Sequence, residues 1–352
     1  MSNATEEFTM KKGIVSILVF LAALVFAAPV FCDSISTPIV RVNLIRNAVI
    51  TQQQLDEAVS TYSEAYGTTF EPATVLDALI SDELFRQGLE KNGYTLTDDQ
   101  KAQLLASQKS KIEAQVGMSL TDEQFEQLLQ SQQGISLDEY KEYLANQYLL
   151  QTYVTTAKAS MFENAPLPTD SEVETFYKKN KSSFISNENV KLSHIFFAFG
   201  DDKDAAYKKA TDVYNKIVSG ELTFEKAITQ YSEDADSKDK AGDIGWLQIN
   251  DETTMAYMGE NFFDEVFKLD AGEMSGVIES LAGYHIVKVS VHNDTKILGL
   301  DDKISPTDTT TVRDYITSYL YNESLNTVFQ EAYLSLIEDL RAQASIKYLK
   351  QL

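Results

Sequence analysis

Three histidines, His194, His285 and His292, and one cysteine, Cys32, are all that this chain of 352 residues carries of those two types, and they bound its chemistry. A lone thiol excludes an internal disulfide and a thiolate metal site. Acylation is the chemistry left to Cys32, although bulky Phe31 stands before it where lipoprotein signals usually place a small residue. The chain contains no Gly-rich phosphate loop, HExxH helix or clustered carboxylate loop, so neither a cofactor nor a metal is expected. A single histidine in an apolar strand is more often a satisfied core residue than a reactive one. His194 and His285 therefore take meaning only from their surroundings. The formal net charge of −23 argues against nucleic acid as a partner and disfavours acidic lipid surfaces, both of which call for clustered Lys and Arg.

The elements that must position these groups begin with an export pattern. Lys11 and Lys12 precede an apolar run from Ile14 to Ala28, then Pro29 and Val30-Phe31-Cys32-Asp33, which reads as a secretory signal peptide over 10–32. A periplasmic or otherwise extracytoplasmic location follows, with cleavage, an uncleaved membrane tether or a lipidated Cys32 as its outcomes. The acidic stretch 1–9 is left out of the fold reasoning.

Residues 33–168 read as a helical bundle. A Ser or Thr followed three residues later by Gln or Glu recurs at Thr51/Gln54, Thr97/Gln100, Thr121/Gln124, Ser136/Glu139 and Thr169/Glu172, each pair able to close a reciprocal cap on a helix N-terminus. Val75, Leu76, Leu79, Ile80, Leu84 and Leu89 share one helical face, and Tyr140, Tyr143, Leu144, Leu150, Tyr153 and Val154 form a broader stripe. Such stripes serve either as interhelical core or as a groove for unfolded chains. Pro166 and Pro168 end this region, and a linker helix over 169–187 leads to a β-rich texture over 188–293. From about Thr307 to Arg341 the pattern is helical again, and Ser345 to Leu349 alternate like a strand. The amphipathic end, 305–352, needs a partner face. The N-terminal bundle supplies one of matching character, with self-association of the helix as the other solution. The expected fold class is α+β: a small antiparallel sheet with surrounding helices, inserted in a mainly helical module.

Within 188–293 six motifs follow one another: Leu192-Ser193-His194-Ile195-Phe196; Tyr231-Ser232-Glu233-Asp234; Gly242-Asp243-Ile244-Gly245-Trp246; Phe262-Phe263-Asp264-Glu265-Val266-Phe267; Gly272-Glu273-Met274-Ser275; and Gly283-Tyr284-His285-Ile286-Val287-Lys288-Val289. In this order and spacing they resemble the parvulin family of peptidyl-prolyl isomerases, and the flanking helices resemble those of the extracytoplasmic foldases SurA and PrsA.

The resemblance implies isomerisation of X–Pro peptide bonds in unfolded or proline-containing polypeptide clients. A catalytically weak or inactive holdase that grips clients through the helical module is the alternative. It implies further that Ile244, Met258 and Phe262 form an apolar cup for the proline ring. His194, Asp234, Ser280 and His285 would make up the polar part of the site, more as a hydrogen-bond network than as an acid–base pair. Asp234 falls where many eukaryotic members have Cys, which argues against a nucleophile. Ala282 departs from members with a second hydroxyl, and His292 matches no motif and reads as a surface residue. Phosphate-directed members carry a basic loop after the first strand. Here Gly200-Asp201-Asp202-Lys203-Asp204 is acidic, which weighs against that specificity.

Overall fold

A computed structural model describes residues 37–350; the signal-peptide segment and Cys32 lie outside the described residues. The chain divides into two compact units, one running up to Leu167 and resuming at Tyr321, the other Pro168–Leu320.

The first unit opens with a hairpin that the helical reading of 33–168 did not include. Strands β1 (Pro38–Asn43) and β2 (Asn47–Thr51) pair antiparallel, with Arg41 opposite Val49 and Val42 opposite Ala48. Their β-branched residues suit a half-buried pleated surface, and Ile39, Val40 and Val42 are buried. Helices α1 (Gln52–Tyr66), α2 (Pro72–Lys91), α3 (Asp98–Val116), α4 (Asp122–Gln133), α5 (Leu137–Ala157) and α6 (Ala159–Glu163) follow. Reciprocal caps close at Thr51, Thr97, Thr121 and Ser136, where side chain and backbone satisfy donors that a helix start leaves orphaned.

Helix α5 serves two cores. Its first turns place Tyr140, Tyr143 and Leu144 against Phe125 and Leu129 of α4. Its later turns bury Leu150, Tyr153 and Val154 with Val75, Ile80, Leu84 and Phe85 of α2. The chain returns to this second core through the long helix α12 (Val312–Gln343), which contributes Ala332, Leu336, Ile337 and Leu340, and through strand β9 (Ser345–Tyr348), which pairs with β1. The sheet order is β2-β1-β9. Helix α12 starts five residues after the expected Thr307. Thr311 caps it, its hydroxyl accepting from the Asp314 N–H while the Asp314 carboxylate accepts from the Thr311 N–H.

A polar plug holds the hairpin. Gln87 of α2 is fully buried, and its Oε1 accepts from the N–H groups of Leu44, Ile45 and Arg46 at 2.9, 3.0 and 3.3 Å. Its Nε2 donates to Glu83 at 2.8 Å, and Glu83 in turn pairs with Arg46 and Arg86.

The second unit opens with α7 (Asp170–Asn180), capped by Thr169 and Glu172. Its Val173 packs with Leu298, Val312 and Ile316, and short strands β3 (Ile185–Ser186) and β8 (Lys296–Ile297) pair beside it. The main sheet holds β4 (Asn189–Ala198), β5 (Asp243–Gln248), β6 (Met274–Glu279) and β7 (Gly283–Asn293) in the antiparallel order β5-β4-β7-β6. Successive side chains of a strand point to opposite faces, and both faces here are covered. On one, Ile195, Phe197, Tyr284 and Ile286 pack against α8 (Lys203–Val218) and α9 (Phe224–Tyr231). On the other, Val190, Leu192, Val287 and Val289 meet α10 (Glu252–Met258) and α11 (Glu260–Val266).

Candidate functional site

His194 of β4 and His285 of β7 sit on the two central strands. In the register Phe196 lies opposite His285 and His194 opposite Val287, so the histidines are diagonal neighbours, close enough for large side chains to meet. Their Nδ1 atoms are 3.0 Å apart. Two glycines permit the close packing around them. A Cβ on Gly242, at φ +71°, would come within 2.5 Å of the His194 carbonyl oxygen, and one on Gly283 would collide with the Phe197 carbonyl oxygen.

Asp234 reaches the pair from the loop that follows α9. Ser232 and Glu233 bind that loop to β4, the Ser232 hydroxyl accepting from the Phe196 N–H and the Glu233 N–H donating to the Phe196 carbonyl. This brings Asp234 Oδ2 to 2.9 Å from His194 Nε2. At the other end, Ser280 Oγ lies 2.8 Å from His285 Nε2 and accepts from the N–H groups of Ala282 and Gly283. Ser280, His285, His194 and Asp234 thus form one row of polar contacts.

One proton arrangement satisfies the whole row with both rings neutral. The Ser280 hydroxyl donates to His285 Nε2, His285 Nδ1–H donates to His194 Nδ1, and His194 Nε2–H donates to the ionised Asp234. Electrostatics agree. Burial, and then the neighbouring His194, push His285 down to about 3. Burial also lowers His194, against the pull of Asp234. Burial acts to raise Asp234, but hydrogen bonds from Ser237 and His194 outweigh it and hold its carboxyl below the usual aspartate range. At neutral pH this is a fixed dipolar row ending in a carboxylate, with neither ring poised to titrate.

Beside the row lies an apolar floor. The Phe262 ring is 5.0 Å from the His285 ring, edge to face, and only 1% of the residue is exposed. Met258 and Ile244 are partly buried and pack on the same cluster. All seven residues singled out in the sequence therefore converge on one face of the sheet, with Phe262 as a closed floor and Met258 and Ile244 as its part-exposed rim. A separate cleft of about 260 Å³, lined by Phe199, Gly200, Asp202, Lys209 and Glu233 among others, contains none of the seven. The row and its apolar cluster, not that cleft, bring the seven together.

Two contributors escaped the sequence reading. The Ser237 hydroxyl donates to Asp234 and lies 3.2 Å from His194 Nε2. Phe196 lays its ring against both histidines, 4.8 Å from His285 and 6.0 Å from His194. Strand alternation, which puts Phe196 two positions after His194 on the same face, was the available signal for the second. For Ser237 there was only its spacing of three from Asp234. His292 needs correction from a surface residue: its side chain is 13% exposed, Nδ1 meets the Leu269 carbonyl at 2.6 Å, and Nε2 meets Glu188 at 2.9 Å. The Leu269 carbonyl, joined by Glu188, outweighs partial burial and raises its pKa.

Comparison with known proteins finds two family matches along the chain. The model of the PPIC-type PPIase domain matches residues 194–291, and that of the SurA-like N-terminal domain matches 7–154. The chain carries a PPIC-type PPIase domain and a SurA-like N-terminal domain. The foldase protein PrsA of Caldanaerobacter subterraneus is 27% identical over 274 residues, 78% of this chain and 71% of that one. The chaperone SurA of Pectobacterium atrosepticum is 25% identical over 305 residues, 83% of this chain, which spans 64% of that chaperone's length. The crystal structure of PrsA from Bacillus subtilis is 23% identical, over 83% of this chain and 89% of that one, with a TM-score of 0.25. The PPIC-type match begins at His194 and ends just beyond β7's buried Val289, so it takes in every residue of the polar row. Among the described residues no helix is long and apolar enough to cross a membrane, and no group of His, Cys, Asp and Glu is placed to hold a metal.

Proposed function

We propose that this protein is an exported folding factor that accelerates cis–trans isomerisation of X–Pro bonds in unfolded envelope or secreted proteins. The X–Pro bond rotates over a barrier of about 18–20 kcal/mol because its C–N bond has partial double-bond character. Twisting removes that resonance, and the twisted amide is less polar than the planar one, so a dry apolar seat favours it without any covalent step. Phe262 as floor, with Met258 and Ile244 as rim, provides such a seat for the pyrrolidine ring. The packing of Phe262, Met258 and Ile244 in one cluster beside the buried histidine pair is the observation that carries the reading. His194, His285, Ser280 and Asp234 hold the polar wall in one orientation. Burial disfavours the charged form of both rings, and their nitrogens are engaged in the row, so the reading assigns them to positioning and not to proton transfer.

Export rests on the amino-terminal pattern of 10–32 and on likeness to PrsA foldases and SurA chaperones. The helical unit supplies client binding, favoured by the exposed Val116 and Met118 at the α3–α4 turn. A weakly active holdase is the second reading, favoured by Ala282 in place of a hydroxyl. Proline-limited refolding of a model substrate tests the first. Acceleration by the wild type that is lost in the Met258→Ala, Phe262→Ala double variant supports isomerisation. No acceleration by the wild type, with aggregation of the same substrate still suppressed, leaves the holdase.

A further inference from the structure

Leu281 is 65% exposed, although the turn that carries it is held on both sides. Ser280 before it is buried against His285, and the carbonyl of Ala282 after it accepts from the Phe199 N–H at 3.3 Å. The Leu281 N–H donates to the carbonyl of Met258 at 3.0 Å. Its side chain rests on Gly259, where an added Cβ would stand 3.3 Å from Leu281 Cγ. Gly259 joins α10, which ends at Met258, to α11, which carries Phe262. Asn261 fixes the same turn by donating to the Glu279 carbonyl at 2.9 Å.

A single exposed leucine on a surface means little. This one is anchored to a rim residue of the proline seat and covers the bare glycine next to it, so it extends the apolar rim outward from Met258. Tyr257, 72% exposed, precedes Met258 on the same helix. Consecutive Cα atoms are about 3.8 Å apart, so a client whose proline sits over Phe262 must carry a neighbouring side chain across this edge. Glu260 adjoins it in the chain and disfavours an anionic occupant, whereas Glu279 is paired with Lys203.

We infer that Leu281 is a specificity-determining residue that selects clients with an apolar side chain adjoining the proline. The inference rests on the isomerase reading and is tested apart from it. Matched proline peptides carrying leucine, glycine or glutamate on either side of the proline are assayed for kcat/KM with the wild type, Leu281→Ser and Leu281→Met. The expected result is a wild-type preference for leucine on one side. The leucine-to-glycine ratio falls about three- to tenfold in Leu281→Ser, as expected from partial burial of one aliphatic side chain, and recovers in Leu281→Met. An unchanged ratio in Leu281→Ser, or a wild type indifferent to the flanking residue, overturns the inference and leaves isomerisation standing. A wild type that accelerates no peptide removes the isomerase reading instead. Titration of the same peptides against the Leu281 amide resonance then decides the ledge: shifts with leucine peptides but not glycine peptides retain it, and none ends it.

Discussion

Each unit of this molecule buries a polar cluster, and the two are built to opposite plans. In the helical unit, Gln87 spends its carbonyl oxygen on three consecutive backbone N–H groups, and Glu83 is closed off by Arg46 and Arg86. In the PPIC-type unit, the row from Ser280 to Asp234 is made of side chains and ends on a carboxylate whose own side chain is 22% exposed. It also lies against the apolar cluster that holds Phe262, whereas the Gln87 cluster faces a turn of its own chain. Buried polar groups alone therefore do not mark a site. What separates the clusters is where their bonds end: on backbone that must be held, or on a carboxylate left part-exposed.

The comparison predicts unequal damage. Replacing Gln87 with Leu leaves three N–H groups of the hairpin turn without their acceptor and should cost about 3 kcal/mol in denaturant unfolding of the full chain. Refolding catalysis measured well below the transition should survive. A simultaneous loss of catalysis would mean that the helical cluster is functional too.

The pH dependence separates the clusters next. His285 has a folded pKa of about 3, lowered from 6.5 chiefly by burial, so below pH 6.5 the unfolded chain binds the proton more tightly. Its contribution is therefore fully present above pH 6.5 and lost progressively as the pH falls toward 3. Roughly 2 kcal/mol should disappear between pH 7 and pH 5, visible as a fall in the denaturant midpoint that His285→Leu abolishes. His292, with a raised pKa, acts with the opposite sign: its contribution is present below 6.5 and lost as the pH rises through its folded value. Because His285, at about 3, stays neutral over the same interval, it should add no step to kcat/KM there. A bell-shaped profile would restore the acid–base reading.

Met258→Ala sharpens the contrast at the seat. Met258 is only partly buried, so the variant should lose about tenfold in kcat/KM, or about 1.4 kcal/mol, with a smaller change in stability. The smallest effect belongs to the helix caps. Thr97→Ala removes the reciprocal cap of α3 and should cost about 1 kcal/mol by the same unfolding measurement, with no change in catalysis.

How much of this could be read in advance depended on how far apart the interacting residues lie. The caps at Thr51, Thr97, Thr121, Ser136 and Thr169 span three residues each and form as spelled. His194, Asp234, Ile244, Phe262 and His285 stand in the motifs, and Met258 and Ser280 came from the family resemblance alone; the Nδ1-to-Nδ1 contact that joins the histidines was in neither. The hairpin at Pro38–Thr51 was missed because its strands lie close behind an apolar run of sequence, and the pairing of β1 with β9 closes across nearly the whole described chain. His292 was misread because its partners, Glu188 and Leu269, are remote in sequence.

By itself the sequence determined the helix starts and their caps, the alternation that puts His194 and Phe196 on one face, and the presence of a single thiol, Cys32. All of these rest on interactions among near neighbours or on composition. Only the tertiary structure decided which nitrogen of each histidine meets which partner, that Phe262 is buried edge-on against His285, that Ser237 supports Asp234, and that Leu281 stands exposed beside Gly259. Those depend on strand register and on loops meeting across the sheet, where a shift of one residue would point the same side chains to the other face.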